Sequence, residues 1–174
     1  ESDGSHGGMS DQFNKMKELL GLDNVSTKPL TFQAFESEEK YFDIILLYNS
    51  VNHLDEMSCS NLIASEEARV SYTLIFKKLE NICKHGASII VCDCSNKNFF
   101  AKLGVRNPFD PSINYSLHQA PGTWAKLLLT SGFVDPKITW SSYNSFRTLG
   151  RRLLGNKILS YFLSSHFCLR MKKL

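Results

Sequence analysis

Two short runs constrain this chain more than anything else in it: FDIILLY over Phe42–Tyr48 and SIIVC over residues 88–92. Both are apolar at nearly every position. A strand with one wet face alternates apolar and polar residues; these do not, so both of their faces need covering. They are also too short for helices of a core. Interior strands of a largely parallel sheet, with helices packed on it, meet both conditions.

The rest of the chain supplies the helices. Ser10 is a suitable N-cap for a helix with Phe13, Met16, Leu19 and Leu20 on one face and Gly21 as its stop. Residues 25–32 read as a strand, with Pro29 marking an edge or an irregularity. Residues 66–83 carry Ala68, Tyr72, Ile75, Phe76, Leu79 and Ile82 at helical spacing, and His85-Gly86 resembles a C-cap. Pro121 opens a helix with Trp124, Leu127 and Leu128 on one face, closed by Gly132. Residues 133–140 form a strand broken by Pro136, residues 141–160 a helix with two glycines, and residues 166–171 (HFCLRM) a last strand. Between residues 96 and 120 runs a long loop with Pro108 and Pro111, of the kind that serves as a lid or a binding loop. Glu1 to Gly8 (1–8) read as a flexible leader or a tag remnant, leaving 9–174 as one α/β domain.

Composition narrows the function classes. The 174 residues are 43% hydrophobic and 21% charged, enough for a core. A net charge of +3 is too mild to argue for nucleic acid, although Arg147, Arg151, Arg152, Lys157, Arg170, Lys172 and Lys173 cluster near the end. That cluster is either a solvated face or a surface for an anionic group. No apolar run is long enough for a membrane span. Five cysteines in an odd, unpaired arrangement, without clustered ligands, read as free thiols and no metal, which suits a cytoplasmic protein.

Four pieces in order carry a family resemblance: FDIILLYNSVNHLDE, LENICKHGASIIVCDCS, WAKLLLTSGF and SSHFCLRMKKL. Their succession is similar to the C-terminal part of the class I S-adenosylmethionine-dependent methyltransferases. The resemblance implies a Rossmann-like α/β methyltransferase sheet, mostly parallel with an antiparallel last strand, and S-adenosylmethionine as cofactor. The first two strands of that pattern are missing, along with the glycine-rich turn and the ribose-binding acid that they carry. With the family's strand order, a gap opens between the strand at residue 25 and Phe42. The missing strands belong to a longer form of the protein, or a second chain supplies them, or the sheet closes up.

Ligands of α/β sheets sit at the carboxyl ends of the strands. Asn49, Ser50, Asn52 and His53 follow the first buried strand; Asp93 and Asn96 follow the second. His53 is the candidate catalytic base, since imidazole takes up a proton near neutrality; otherwise it caps the next turn. Asn49 and Ser50 are candidate cofactor contacts. Asn52, Asp93 and Asn96, with His118 and Gln119 from the long loop, are candidate contacts to a small-molecule acceptor, or else turn and surface residues. By the resemblance, Gln33, Ala34 and Phe35 lie beside the adenine. Trp124, Trp140 and His166 read as structural. Two functions follow: a methyltransferase, or a degenerate methyltransferase-like subunit that binds and regulates a partner.

Overall fold

A computed structural model describes residues 5–37, 39–141 and 155–174, residues 5–10 by their backbone alone. It contains two compact units, Glu1–Phe35 and Glu36–Leu174. In the first, helix α1 spans Ser5–Leu20, starting before the Ser10 cap that the sequence suggests. Met16, Leu19 and Leu20 are exposed on it. The strand expected over residues 25–32 does not form. Pro29 lacks an N–H to donate, and the backbone bonds that follow it are local: Thr31 O accepts from the amides of Ala34 and Phe35 at 3.1 and 3.0 Å.

The second unit holds a sheet of four strands: β1 (Phe42–Tyr48), β2 (Cys83–Cys94), β3 (Phe133–Trp140) and β4 (His166–Lys173), in the order β1-β2-β4-β3. β1 and β2 are parallel, with Ile45 opposite Ile89 and Tyr48 opposite Cys92. β4 is inserted antiparallel between β2 and β3. Three strands therefore run one way, but the reversed insert makes two of the three neighbour pairs antiparallel. That corrects the expectation of a mostly parallel sheet. β1 is a terminal strand of this sheet, so the closed-up arrangement with residues 25–32 is not formed.

The packed face of the sheet is built by α3 (Glu66–Ile82) and α5 (Pro121–Thr130). Ser65 caps α3 by accepting from Ala68 N at 3.1 Å, and Glu66 and Glu67 complement its dipole. All six residues of its expected apolar face are buried. Tyr72, Phe76 and Trp124 pack as an aromatic cluster, with the Tyr72 and Trp124 ring centroids 5.0 Å apart. They face Ile89, Val91, Leu169 and Met171, all fully buried. α3 ends at Ile82, and β2 begins at once at Cys83. Gly86 is accordingly no C-cap: at φ +77° it lies within an irregularity of β2, where Phe42 pairs with Cys83 but Ile44 with Ser88. Gly132, at φ +103°, turns α5 into β3, and a Cβ there would meet the Glu80 side chain at 3.2 Å.

Short helices interrupt the connections: α2 (Glu56–Asn61), α4 (Phe99–Lys102) and α6 (Lys157–Phe162). The long loop thus contains α4 and a 3-10 turn, Tyr115–Leu117. Of the helix expected over 141–160, residues 142–154 lie outside the described residues, as do Arg147, Arg151 and Arg152; α6 covers its far end. No helix among the described residues is long and apolar enough to cross a membrane.

Candidate functional site

The carboxyl ends of β1 and β2 open into a cleft of about 780 Å³. Its wall includes Tyr48, Asn49, Asn52, His53, Cys92, Cys94, Asp110, Leu117, His118, Ser141, His166 and Cys168. Of the residues singled out in the sequence, it gathers Asn49, Asn52, His53 and His118.

The turn after β1 is shaped from beneath. Asn49 adopts a left-handed conformation, φ 47°, which Asn tolerates. The buried Tyr72 hydroxyl lies 3.0, 3.2 and 3.1 Å from the carbonyls of Val51, Asn52 and Asp55, so α3 holds this turn in place. Asn52 is 2% exposed, and its Oδ1 has no partner among the described residues. His53 sits on the 3-10 turn Asn52–Leu54, with a 56% exposed side chain and Nδ1 2.5 Å from Glu56 Oε1. Ser50 does not line the cleft; its carbonyl accepts from the His53 amide at 3.1 Å.

Behind the cleft, Asp93 is fully buried at the end of β2. Its Oδ1 accepts from the Cys94 amide at 2.8 Å and lies 3.0 Å from His118 Nδ1. Its Oδ2 has no partner among the described residues. The sequence nominated Asp93 and His118 separately; only the fold shows them as a pair.

His166, read from sequence as structural, also lines the cleft. Ser141 Oγ lies 2.8 Å from its Nδ1, and Asn49 Oδ1 lies 3.3 Å from its Nε2. Burial favours its neutral form and depresses its pKa, against opposing pulls from Asp93 and Asp110. Burial likewise pushes the thiols of Cys92 and Cys94 up to about 12, so they stay protonated. Alternation along β4 places Cys168 directly across from Cys92. The sequence does not show this pairing, because which residue of the last strand meets Cys92 is a matter of register. No group of three His, Cys, Asp or Glu able to hold a metal ion occurs among the described residues.

Asn96 and Gln119 line a second, slightly larger cleft of about 850 Å³ with Lys97, Lys102 and Tyr115. The larger space is the poorer candidate: the two clefts share Asn114, but His53, His118 and His166 line only the first. Gln119 is buried and donates to Cys59 O at 2.7 Å, and Asn96 Nδ2 donates weakly to Gln119 Oε1 at 3.4 Å. Gln33, Ala34 and Phe35 belong to the first unit, in and after the turn on Thr31, and follow no strand.

No family model matches the sequence, and no curated protein matches it either. Solved structures do. An S-adenosylmethionine-dependent methyltransferase from Listeria monocytogenes matches at TM-score 0.58 and 11% identity, over 93% of this chain and 75% of its own. One from Thermotoga maritima matches at 0.55 and 15%, over 92% and 70%. One from Archaeoglobus fulgidus matches at 0.52 and 18%, over 92% and 72%. This chain has the class I methyltransferase fold. The observed order β1-β2-β4-β3 is that fold's half beyond its glycine-rich turn, as the resemblance implied.

The residues at hand can be tested against the cofactor this fold implies. No glycine lines the cleft. Among the described residues, no strand lies beyond β1 to carry a glycine-rich or ribose-binding turn. Among the described residues, the cleft at the strand tips is present and a glycine-rich turn beside it is not.

Proposed function

We propose that this chain is the acceptor-binding part of an S-adenosylmethionine-dependent methyltransferase. In this reading it works on a small molecule, and the cofactor's cradle is contributed by strands packed on the outer edge of β1. Those strands come from a second chain or a longer form of this one. The observation that carries the reading is the cleft at the carboxyl ends of β1 and β2, walled by Asn49, Asn52, His53 and His118, within this fold. Its size suits a compact ligand, and the cleft wall contains neither Lys nor Arg among the described residues, which disfavours nucleic acid and phosphorylated acceptors. The cleft's work is to bind and orient the acceptor and exclude water around it. Five free cysteines suit a reducing, cytoplasmic setting.

Calorimetry with S-adenosylmethionine and S-adenosylhomocysteine tests the reading. The chain alone should bind either with a Kd no tighter than about 1 mM, some −4 kcal/mol. Micromolar binding would overturn the incomplete cradle. The absent cradle also favours a second reading, a non-catalytic subunit that regulates an active partner. Transfer of labelled methyl by the assembled complex, abolished by substitutions in this cleft, separates the two: a complex indifferent to those substitutions supports the regulatory role.

A further inference from the structure

Three histidines wall the cleft, and they are not equivalent. His166 has both ring nitrogens engaged, one by Ser141 and one by Asn49. His53 is half exposed, and its Nδ1 partner Glu56 is an equally exposed side chain three residues along. His118 differs from both. Its ring is 15% exposed, and its Nδ1 rests on the fully buried Asp93 at 3.0 Å. Both of its neighbours are tied to one residue of α2: Cys59 Sγ–H donates to the Leu117 carbonyl at 3.3 Å, and the Gln119 side chain donates through Nε2 to Cys59 O at 2.7 Å.

We propose that His118 takes the proton from the acceptor, with Asp93 and Cys59 as positioning residues, and that the acceptor is a neutral molecule bearing a weakly acidic hydroxyl. The proposal rests on the methyltransferase reading above and names the substrate class of that site. As a carboxylate Asp93 only accepts hydrogen bonds, so Nδ1 of His118 donates and Nε2 keeps the lone pair. The acceptor's O–H bond breaks, its electron pair stays on oxygen, and the proton passes to Nε2. The imidazolium so formed is held by the Asp93 carboxylate. A base placed before attack matters for a hydroxyl, a poor nucleophile while protonated, more than for an amine with a free lone pair.

The wall specifies the rest of the acceptor. Tyr48, Ile113 and Leu117 give it apolar surface, and no cation among the described residues lines it to attract an anion. Asn52, 2% exposed, adds a buried amide to the same wall. The titratable groups facing the space besides His118 are Asp110, His53, His166, Tyr48 and the thiols of β2 and β4.

Two measurements test this on the chain as it stands. The first is the ¹⁵N spectrum of the histidine rings at a pH where they are neutral. His118 should be the Nδ1–H tautomer; an Nε2–H tautomer overturns the proposal. The second uses 4-nitrophenol, whose phenolate absorbs at longer wavelength than the phenol. Bound to the wild-type chain, its phenolate fraction should rise about tenfold over that in buffer at the same pH. His118→Gln should abolish the rise, and His53→Gln should alter affinity while keeping it. A rise that survives His118→Gln, a rise lost only in His53→Gln, or a phenol that stays unbound or unshifted at millimolar concentration overturns the proposal. Neither readout needs the cofactor. Failure here with methyl transfer intact sinks only the role of His118; success here without cofactor binding by any assembly sinks the methyltransferase reading instead.

Discussion

The two edges of the sheet are built on opposite principles. β3 ends the sheet on one side and carries the marks of a strand meant to meet water. It has a bulge between Val134 and Lys137, Pro136 inside that bulge, Asp135 at φ 55°, and exposed Lys137 and Thr139. Each of these discourages another strand from pairing. β1 ends the sheet on the other side with none of these devices past Asp43, which pairs with Lys84 at 2.7 Å. Ile44, Leu46 and Tyr48 are 63%, 58% and 59% exposed on one face. An edge this apolar resembles the interior of a larger sheet. The contrast is what supports placing further strands, and a layer over that face, against β1 in the working protein.

The largest expected effect comes from truncating equivalent side chains in the two settings. Ile89→Ala, at a fully buried site in β2, should destabilise the chain by about 2–5 kcal/mol in urea unfolding. Ile44→Ala in β1 should cost under about 1 kcal/mol. Comparable losses would mean that the outer face of β1 is already covered in this chain, and the contrast between the edges would break. Adding whatever supplies the missing strands should raise the Ile44→Ala effect toward the Ile89→Ala one.

Hydrogen exchange resolves the edge itself. Asn49 N donates to Cys92 O at 2.8 Å. Alternation then turns the amides of Ile45 and Leu47 toward β2, and those of Ile44, Leu46 and Tyr48 outward. The outward set should exchange on the order of 100-fold faster than the inward set. Equal protection would show the edge paired. A smaller effect is expected at the other edge. Pro136→Val with Lys137→Val should change stability by no more than about 0.5 kcal/mol but increase self-association by sedimentation, since the protection of β3 is removed.

What the sequence disclosed divides along the same line. Phe42–Tyr48, the α3 face and the α5 face were legible, because burial on a sheet imposes periods that single residues reveal. The fold was legible from the order of four such pieces. Residues 25–32 misled, because a β-rich composition forms a strand only where a neighbour offers backbone groups. Gly86 misled because helix stop and strand irregularity use the same left-handed glycine. At the site, position at a strand's end pointed to Asn49, Asn52, His53 and Asp93. The pairing of Asp93 with His118, 25 residues apart, and the arrival of His166 in the cleft depend on how the loop and β4 close over the strand tips.

The smallest effect, and the one that joins the two edges, is a pH dependence at His166. It stands on β4, yet its Nε2 meets Asn49 just past β1, and its ring centroid lies 6.3 Å from that of Tyr48. Burial lowers its pKa in the folded chain. Above its unfolded pKa of about 6.5 both states hold it neutral, and the stability tied to the neutral ring is fully present. As pH falls below that value the unfolded chain takes up the proton first, so stability declines until the folded pKa is passed. Urea midpoints compared at pH 7.5 and 5.5 should therefore drop in the wild type, and drop less in His166→Asn. The Asn49–His166 contact predicts one thing more. Protonated, His166 is harder to keep beside the buried sheet, so the Asn49 amide should lose protection over the same interval while that of Ile138 on β3 does not. Loss of protection at both would mean that acid loosens the whole sheet, and that His166 does not single out the end of β1.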